Sequence, residues 1–248
     1  METKGIKLIC LASCLLGSFI ATAGTMGEQA PVAARGEFGF SAGYYNAESG
    51  RAQHINIVDL VGNNYGLNKK NDGNYLLGLG YMVNGWDYNP FNLAFGVKAF
   101  YLGETEVNGV IDMENIYSNL SYQYNVTHIP IYAMARATLN SGNKNFGLVI
   151  DGGIGPNIMT TRNYTEASLD GGITLLDNSF SGHTQTKFSA TAGVGLKFNN
   201  LMNVSGVEIG YRFFYLGQGD LQATNNMVLN NLQTRDIYAN AIVLTISI

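Results

Sequence analysis

The sequence predicts an all-β chain whose eight long antiparallel strands close into an up-and-down barrel. Three observations carry this expectation. Residue character alternates with a period of two along most of the chain. Glycine is abundant, with 31 among 248 residues. Charge is sparse, at 13% against 46% hydrophobic. A period of two places successive side chains on opposite faces of a strand. Sparse charge with 15 Tyr and 12 Phe excludes disorder. A net charge of −4 and a pI near 5.3 exclude the basic surface that nucleic acid requires.

The first residues read as a secretory signal peptide over 1–23. Lys4 and Lys7 form a positive start, Leu8 to Ile20 an apolar run, and Ala21-Thr22-Ala23 a small-residue cleavage site. Leu11-Ala12-Ser13-Cys14 also fits a lipoprotein processing site, the competing expectation. Cleavage after Ala23 removes Cys10 and Cys14, the chain's 2 cysteines, so no disulfide and no thiolate metal site is expected. The remainder, 24–248, contains no apolar run long enough for a membrane helix and is expected to be one barrel domain.

Strands are expected at about 36–46, 74–84, 92–103, 127–139, 146–158, 186–198, 204–216 and 236–248. All exceed the usual globular strand of about five or six residues and match a tilted bilayer-crossing strand of about 9–11. In strand 186–198 one parity reads Phe188, Ala190, Ala192, Val194, Leu196, Phe198, and the other Lys187, Ser189, Thr191, Gly193, Gly195, Lys197. Across the strands the first parity carries no charge. The second holds Glu37, Lys98, Arg136, Asp151, Lys187, Lys197, Glu208 and Arg212, with glycines such as Gly78, Gly80 and Gly193.

A soluble barrel would turn the apolar parity inward; a transmembrane barrel turns it to lipid. Glycines on a solvated outer face would only weaken the strands. Inside a narrow barrel they leave room for long charged side chains. The lumen is therefore expected to hold a charge network of those eight ionised residues. Aromatics near the ends of the apolar faces, at Tyr44, Tyr75, Tyr101, Phe146, Phe188, Phe198 and Tyr215, fit two interfacial girdles.

Connections alternate in length. Segments 47–73, 104–126, 159–185 and 217–235 are long and polar, whereas 85–91, 140–145 and 199–203 are short and turn-like. Outer-membrane barrels carry long extracellular loops, short periplasmic turns and an even strand number. Ten strands are the alternative, if His54–Val61 and Glu114–Asn125 pair; both are read here as extensions of strands into loops.

Phe146-Gly-Leu-Val-Ile-Asp-Gly-Gly-Ile-Gly155, the 188–198 stretch, and Val207-Glu-Ile-Gly-Tyr-Arg-Phe-Phe-Tyr-Leu-Gly217 resemble the small outer-membrane β-barrel superfamily. That superfamily includes the OmpA membrane domain, opacity porins and OmpW-like proteins. The resemblance is closest to surface barrel proteins of Legionella–Coxiella type bacteria. Such chains usually end in Phe; this one ends Leu244-Thr-Ile-Ser-Ile248, keeping the alternation without the aromatic. The resemblance implies export through the Sec pathway, insertion by the barrel-assembly machinery, and a monomer surrounded by outer-membrane lipid and lipopolysaccharide. It fixes no chemistry.

Catalytic signals are thin. His183 near Asp170 or Asp177 could join Ser179 or Ser181, but no spacing demands a triad. His54 reads as a solvated loop residue and His128 lies at a strand mouth. Three scattered His without Cys offer no metal-ligand spacing. No enzyme activity, cofactor or metal is expected. The expected role is structural or adhesin-like, with a largely filled lumen and loops free to meet host surface molecules. A narrow porin or OmpW-type channel for small solutes is the alternative, and an outer-membrane hydrolase the third reading.

Overall fold

A computed structural model of the chain describes residues 36–88, 90–140, 146–199 and 206–248. The expected signal peptide and most of two short turns, 141–145 and 200–205, lie outside the described residues. Among the described residues eleven strands form: β1 (Gly36–Glu48), β2 (Gln53–Ile55), β3 (Asn63–Tyr65), β4 (Asn71–Tyr88), β5 (Phe91–Met113), β6 (Tyr117–Asn140), β7 (Phe146–Ser168), β8 (Phe180–Ser181), β9 (His183–Phe198), β10 (Gly206–Ala223) and β11 (Leu232–Ser247). Eight of them, β1, β4, β5, β6, β7, β9, β10 and β11, pair antiparallel with their chain neighbours. The ring closes where β1 meets β11, from Gly39↔Ser247 to Glu48↔Tyr238. This is an eight-stranded transmembrane up-and-down barrel, and closure leaves no sheet edge unpaired in the bilayer.

The apolar parity faces outward. Phe40, Leu77, Leu79, Val97, Ile131, Ile150, Val194, Ile209 and Leu244 are all exposed. Aromatics bound this band at both ends. On one side Tyr44 faces Tyr75 and Tyr215 faces Tyr238 across paired strands, with Tyr75 and Tyr101 rings 6.1 Å apart. On the other, Phe146 pairs with Phe198 and Phe38 meets Tyr81 with tilted rings 4.7 Å apart. On β9 the band runs from Phe188 to Phe198. At about 3.3 Å per residue and a tilt near 40° that is roughly 25 Å of height, the height of a lipid-facing band.

The expected loops are only partly loops. β5 and β6 continue past the girdle to a tight turn at 114–116, where Glu114 and Asn115 adopt positive φ of 50° and 59°. Segment 104–126 is therefore mostly a projecting hairpin, and the stretch after Ile116 is an extension of β6. β7 extends likewise to Ser168. His54–Val61 behaves differently from its expected role as a strand extension. β2 turns back to pair with β3, which lies along the outer end of β5. The three short strands thus stand outside the ring, and the count of eight holds.

The reason these segments read as loops is an inversion of polarity. Along β6 the outward side chains change from Asn119, Ser121, Gln123, Asn125 and Thr127 to Ile129, Ile131, Ala133 and Ala135. The inward ones change from Leu120, Tyr122, Tyr124 and Val126 to Tyr132, Met134 and Arg136. The alternation never stops; its sign reverses where lipid gives way to water.

Candidate functional site

Two regions can carry function: the lumen and the cap that the projecting strands build. In the lumen, cross-strand register brings three charges to one level. Arg136 lies opposite Asp151, Asp151 opposite Gly193, and Gly193 opposite Arg212. A Cβ at Gly193 would meet Asp151 Oδ1 at 2.7 Å and Arg212 Nη2 at 2.9 Å. Glycine at this position leaves the space through which Arg212 reaches across β9 to donate to both Asp151 oxygens, at 2.6 and 2.7 Å. Arg136 donates to Asp151 Oδ2 at 3.1 Å and pairs with Glu208 at 3.2 Å. Asp151 is thus a buried carboxylate shared by two guanidiniums, the arrangement that makes a buried charge tolerable.

The other expected lumen charges divide. Lys197 donates to Glu37 at 3.0 Å towards the short-turn end. Lys98 has no carboxylate within ion-pair distance among the described residues; its ammonium lies 5.1 Å from the Phe100 ring centroid, within cation–π range. A gap of about 10 Å³ beside it, lined by Glu37, Lys98, Arg136 and Thr245 among others, is room for about one water. Lys187 stands apart from this network, near the long-loop end of β9 beside Gly217.

Sequence reading missed what closes the lumen above the charges. Phe100 packs edge-on against Phe214 at 5.3 Å, with Tyr132 6.3 Å from each. Tyr132 and Ser189 share a 2.6 Å hydrogen bond. Tyr45, Leu76, Leu102 and Leu216 are fully buried in the same core cluster. The inner face is therefore not uniformly polar: charges occupy one level and an aromatic–aliphatic layer the next. The signal was present, since these residues share the parity of the lumen charges.

The same buried cluster continues up into the cap, where Phe180 contacts Tyr65 at 5.7 Å and Tyr164 at 5.6 Å, with Ile55, Ile111, Leu120 and Leu232 also buried. Its segments are tied into a circuit. Val61 N–H donates to Glu114 at 2.9 Å, and Leu169 N–H to the Asn119 carbonyl at 2.7 Å. Thr224 N–H donates to Ser179 O, Val58 N–H to Met227 O and Leu229 N–H to Asn56 O, each at 2.9 Å. Four loops thereby seal one another above the barrel.

The histidines take structural positions. His54 sits between Asn64 Oδ1 at 2.7 Å and the Val61 carbonyl at 3.0 Å, so it is pinned rather than freely solvated. His128 is fully buried inside the barrel rather than at a mouth, with Asn157 Nδ2 3.0 Å from its Nδ1. His183 meets Asp220 at 2.8 Å instead of Asp170 or Asp177. Asp170 instead accepts from the amides of Ile173 and Thr174, both at 3.1 Å. Hydrogen bonds from Ser168 and Thr174 hold its carboxyl well below the usual carboxylate range. Ser181 Oγ donates to the Gln222 carbonyl at 3.3 Å.

No family model matches the chain, and no curated protein matches it. Among solved structures, the chain is similar to Neisserial surface protein A at 11% identity and TM-score 0.44, covering 86% of this chain and 96% of that one. It is similar to the outer membrane protein OprG from Pseudomonas aeruginosa at 13% identity and TM-score 0.49, covering 87% and 97%. A third likeness is to the outer membrane protease OmpT from Escherichia coli, at 9% identity and TM-score 0.45, covering 86% and 95%. The architecture rests on the chain's own closed ring, and no residue role passes across at these identities.

Proposed function

We propose that the protein is a sealed barrel of the bacterial outer membrane whose working part is the extracellular cap, the barrel serving as anchor and scaffold. The observation that carries this reading is the filling of the lumen level by level: the Arg212–Asp151–Arg136 layer, the Phe100–Tyr132–Phe214 layer, then the cap core. An eight-stranded barrel has an interior just wide enough for its side chains. The two girdles and the apolar band support a place in the outer membrane, surrounded by lipid and lipopolysaccharide. Folding the loops into a rigid unit supports a role in surface contact, because binding residues gather on loops held by a scaffold.

A conducting pore would require the ion-pair layer and the aromatic layer to part together. Planar-bilayer recording of the refolded protein tests this. Silence is the expected result; steady, reproducible channels would overturn the sealed-barrel reading in favour of a narrow solute channel.

A further inference from the structure

The outer rim of the cap presents large apolar side chains to water. Ile173 and Leu175 are 84% and 81% exposed, and Ile116, Tyr117 and Leu169 are exposed beside them. Leu169 and Thr174 are tied to Asn119 by hydrogen bonds of 2.7 and 3.1 Å, which joins the 169–176 loop to the tip of the β5–β6 hairpin.

This loop is held by carboxylates that bond its own backbone amides. Asp170 accepts from Ile173 and Thr174, and Glu166 from the amides of Asp177 and Asn178 at 2.9 and 3.0 Å. Gly171 and Gly172, at φ of +78° and +91°, let the chain turn between these anchors. A loop built only to face water would project its polar residues and tuck Ile173 and Leu175 underneath. Here the ordering cost of the loop is met by internal hydrogen bonds, and its apolar side chains remain available. Rigid exposed apolar patches of this kind mark interaction surfaces.

Charge selects the occupant. The segments that form the rim, 56–64, 112–119, 166–182 and 224–234, contain no Lys or Arg; Asp59, Asp112, Glu114, Asp170 and Asp177 are partly or fully exposed there, whereas Glu166 is buried. Of the cap's basic residues, Arg51, Lys70 and Arg235 line a different cleft of about 400 Å³, Lys69 pairs with Asp72 and Arg162 with Glu104. A second copy of the rim would bring like charge against like, and so would an anionic lipid surface. We propose that the rim docks a basic amphipathic protein segment, one apolar face flanked by Lys or Arg. This rests on the cap being the working part. Apolar burial would supply affinity, and the acidic rim orientation and encounter rate.

The test uses the full refolded chain in zwitterionic phosphatidylcholine nanodiscs and fluorescence anisotropy of a labelled amphipathic Leu/Lys helix, with a Leu/Glu helix of the same pattern and empty discs as controls. The Leu/Lys helix should bind above the empty-disc signal and the Leu/Glu helix should not. Raising salt from about 0.05 to about 0.5 M should weaken binding. A variant carrying both Ile173→Ser and Leu175→Ser should lose about tenfold or more in affinity, near 1.4 kcal/mol. Both positions are exposed, so folding is checked simply by the unchanged gel mobility of the unboiled protein. Equal binding of the two helices, binding that survives the double variant, or no binding of the Leu/Lys helix would each overturn the assignment. Conductance of the same sample separates the two proposals. Silent barrels that fail to bind overturn the rim assignment and leave the sealed display reading standing, whereas steady channels overturn the display reading whatever the helix does.

Discussion

The membrane-spanning part and the cap are made from the same strands, yet they are built inside out relative to each other. Below the girdle, β6 turns Ala133 and Ala135 outward and Arg136 inward; above it, Gln123 and Asn125 face out and Tyr122 and Tyr124 face in. Backbone pairing with β5 and β7 continues through both regions, interrupted only by local register shifts. Strand geometry is therefore indifferent to polarity. The surrounding solvent decides which parity must be apolar: lipid demands it outside, water permits it only inside.

The largest expected effect breaks the inner layer of the membrane part. Asp151→Asn leaves Arg212 buried without its carboxylate, while Arg136 keeps Glu208. Removing one partner of a buried ion pair costs about 3–5 kcal/mol, which urea unfolding in lipid vesicles would measure. A cost below about 1 kcal/mol would mean that water reaches this layer freely.

A smaller effect sharpens the comparison between the two regions on one strand face. Ala135 and Gln123 both point outward from β6, on opposite sides of the girdle. Ala135→Arg should cost about 2–4 kcal/mol, the penalty for a cation at the lipid midplane. Gln123→Arg should stay within about 0.5 kcal/mol, as for an ordinary solvated surface change. Equal costs at the two positions would remove the boundary from between them.

The smallest effect concerns the rim loop alone. The Asp170 carboxyl is held below its ordinary value by hydrogen bonds from Ser168 and Thr174. A depressed carboxylate contributes stability that is fully present above the unfolded-state value and fades as pH falls through the folded-state one. The amide resonances of Ile173 and Thr174 should thus hold steady from neutral pH down to about pH 4, the ordinary Asp value, and move only in stronger acid. Movement near pH 6 would assign the loop's anchoring to another group.

Much of the membrane part could be read from residue order. Lipid tolerates no charge at any outward position, so each strand repeats one unbroken apolar parity, as in Ile129, Ile131, Ala133 and Ala135. Lumen membership of Asp151 and Arg212 followed from the opposite parity. Their pairing did not, because it crosses β9 at Gly193 and depends on the registers of two successive strand pairs. The cap was harder still. Leu120, Tyr122, Tyr124 and Val126 alternate as regularly as the lipid-facing sets, but amid polar neighbours they read only as a strand running out into a polar loop, not as the core of a cap. His183 joins Asp220 on a stretch of β10 that lies beyond register shifts after Tyr215, with Gly217 at φ +80°, irregularities that residue alternation does not announce.

Residue order by itself determined the period of two and the face each strand turns to lipid, and favoured eight crossings over ten, a choice the closed ring settled. These follow from local stereochemistry and from a solvent that acts on every outward residue separately. Only the tertiary structure decided which charges meet, where the aromatic layer closes the lumen, and that four polar loops become one capped unit. Each of those depends on side chains far apart in the chain, such as Ile55, Ile111, Phe180 and Leu232. Their proximity is set when β1 meets β11 and the ring closes, a condition no single segment encodes.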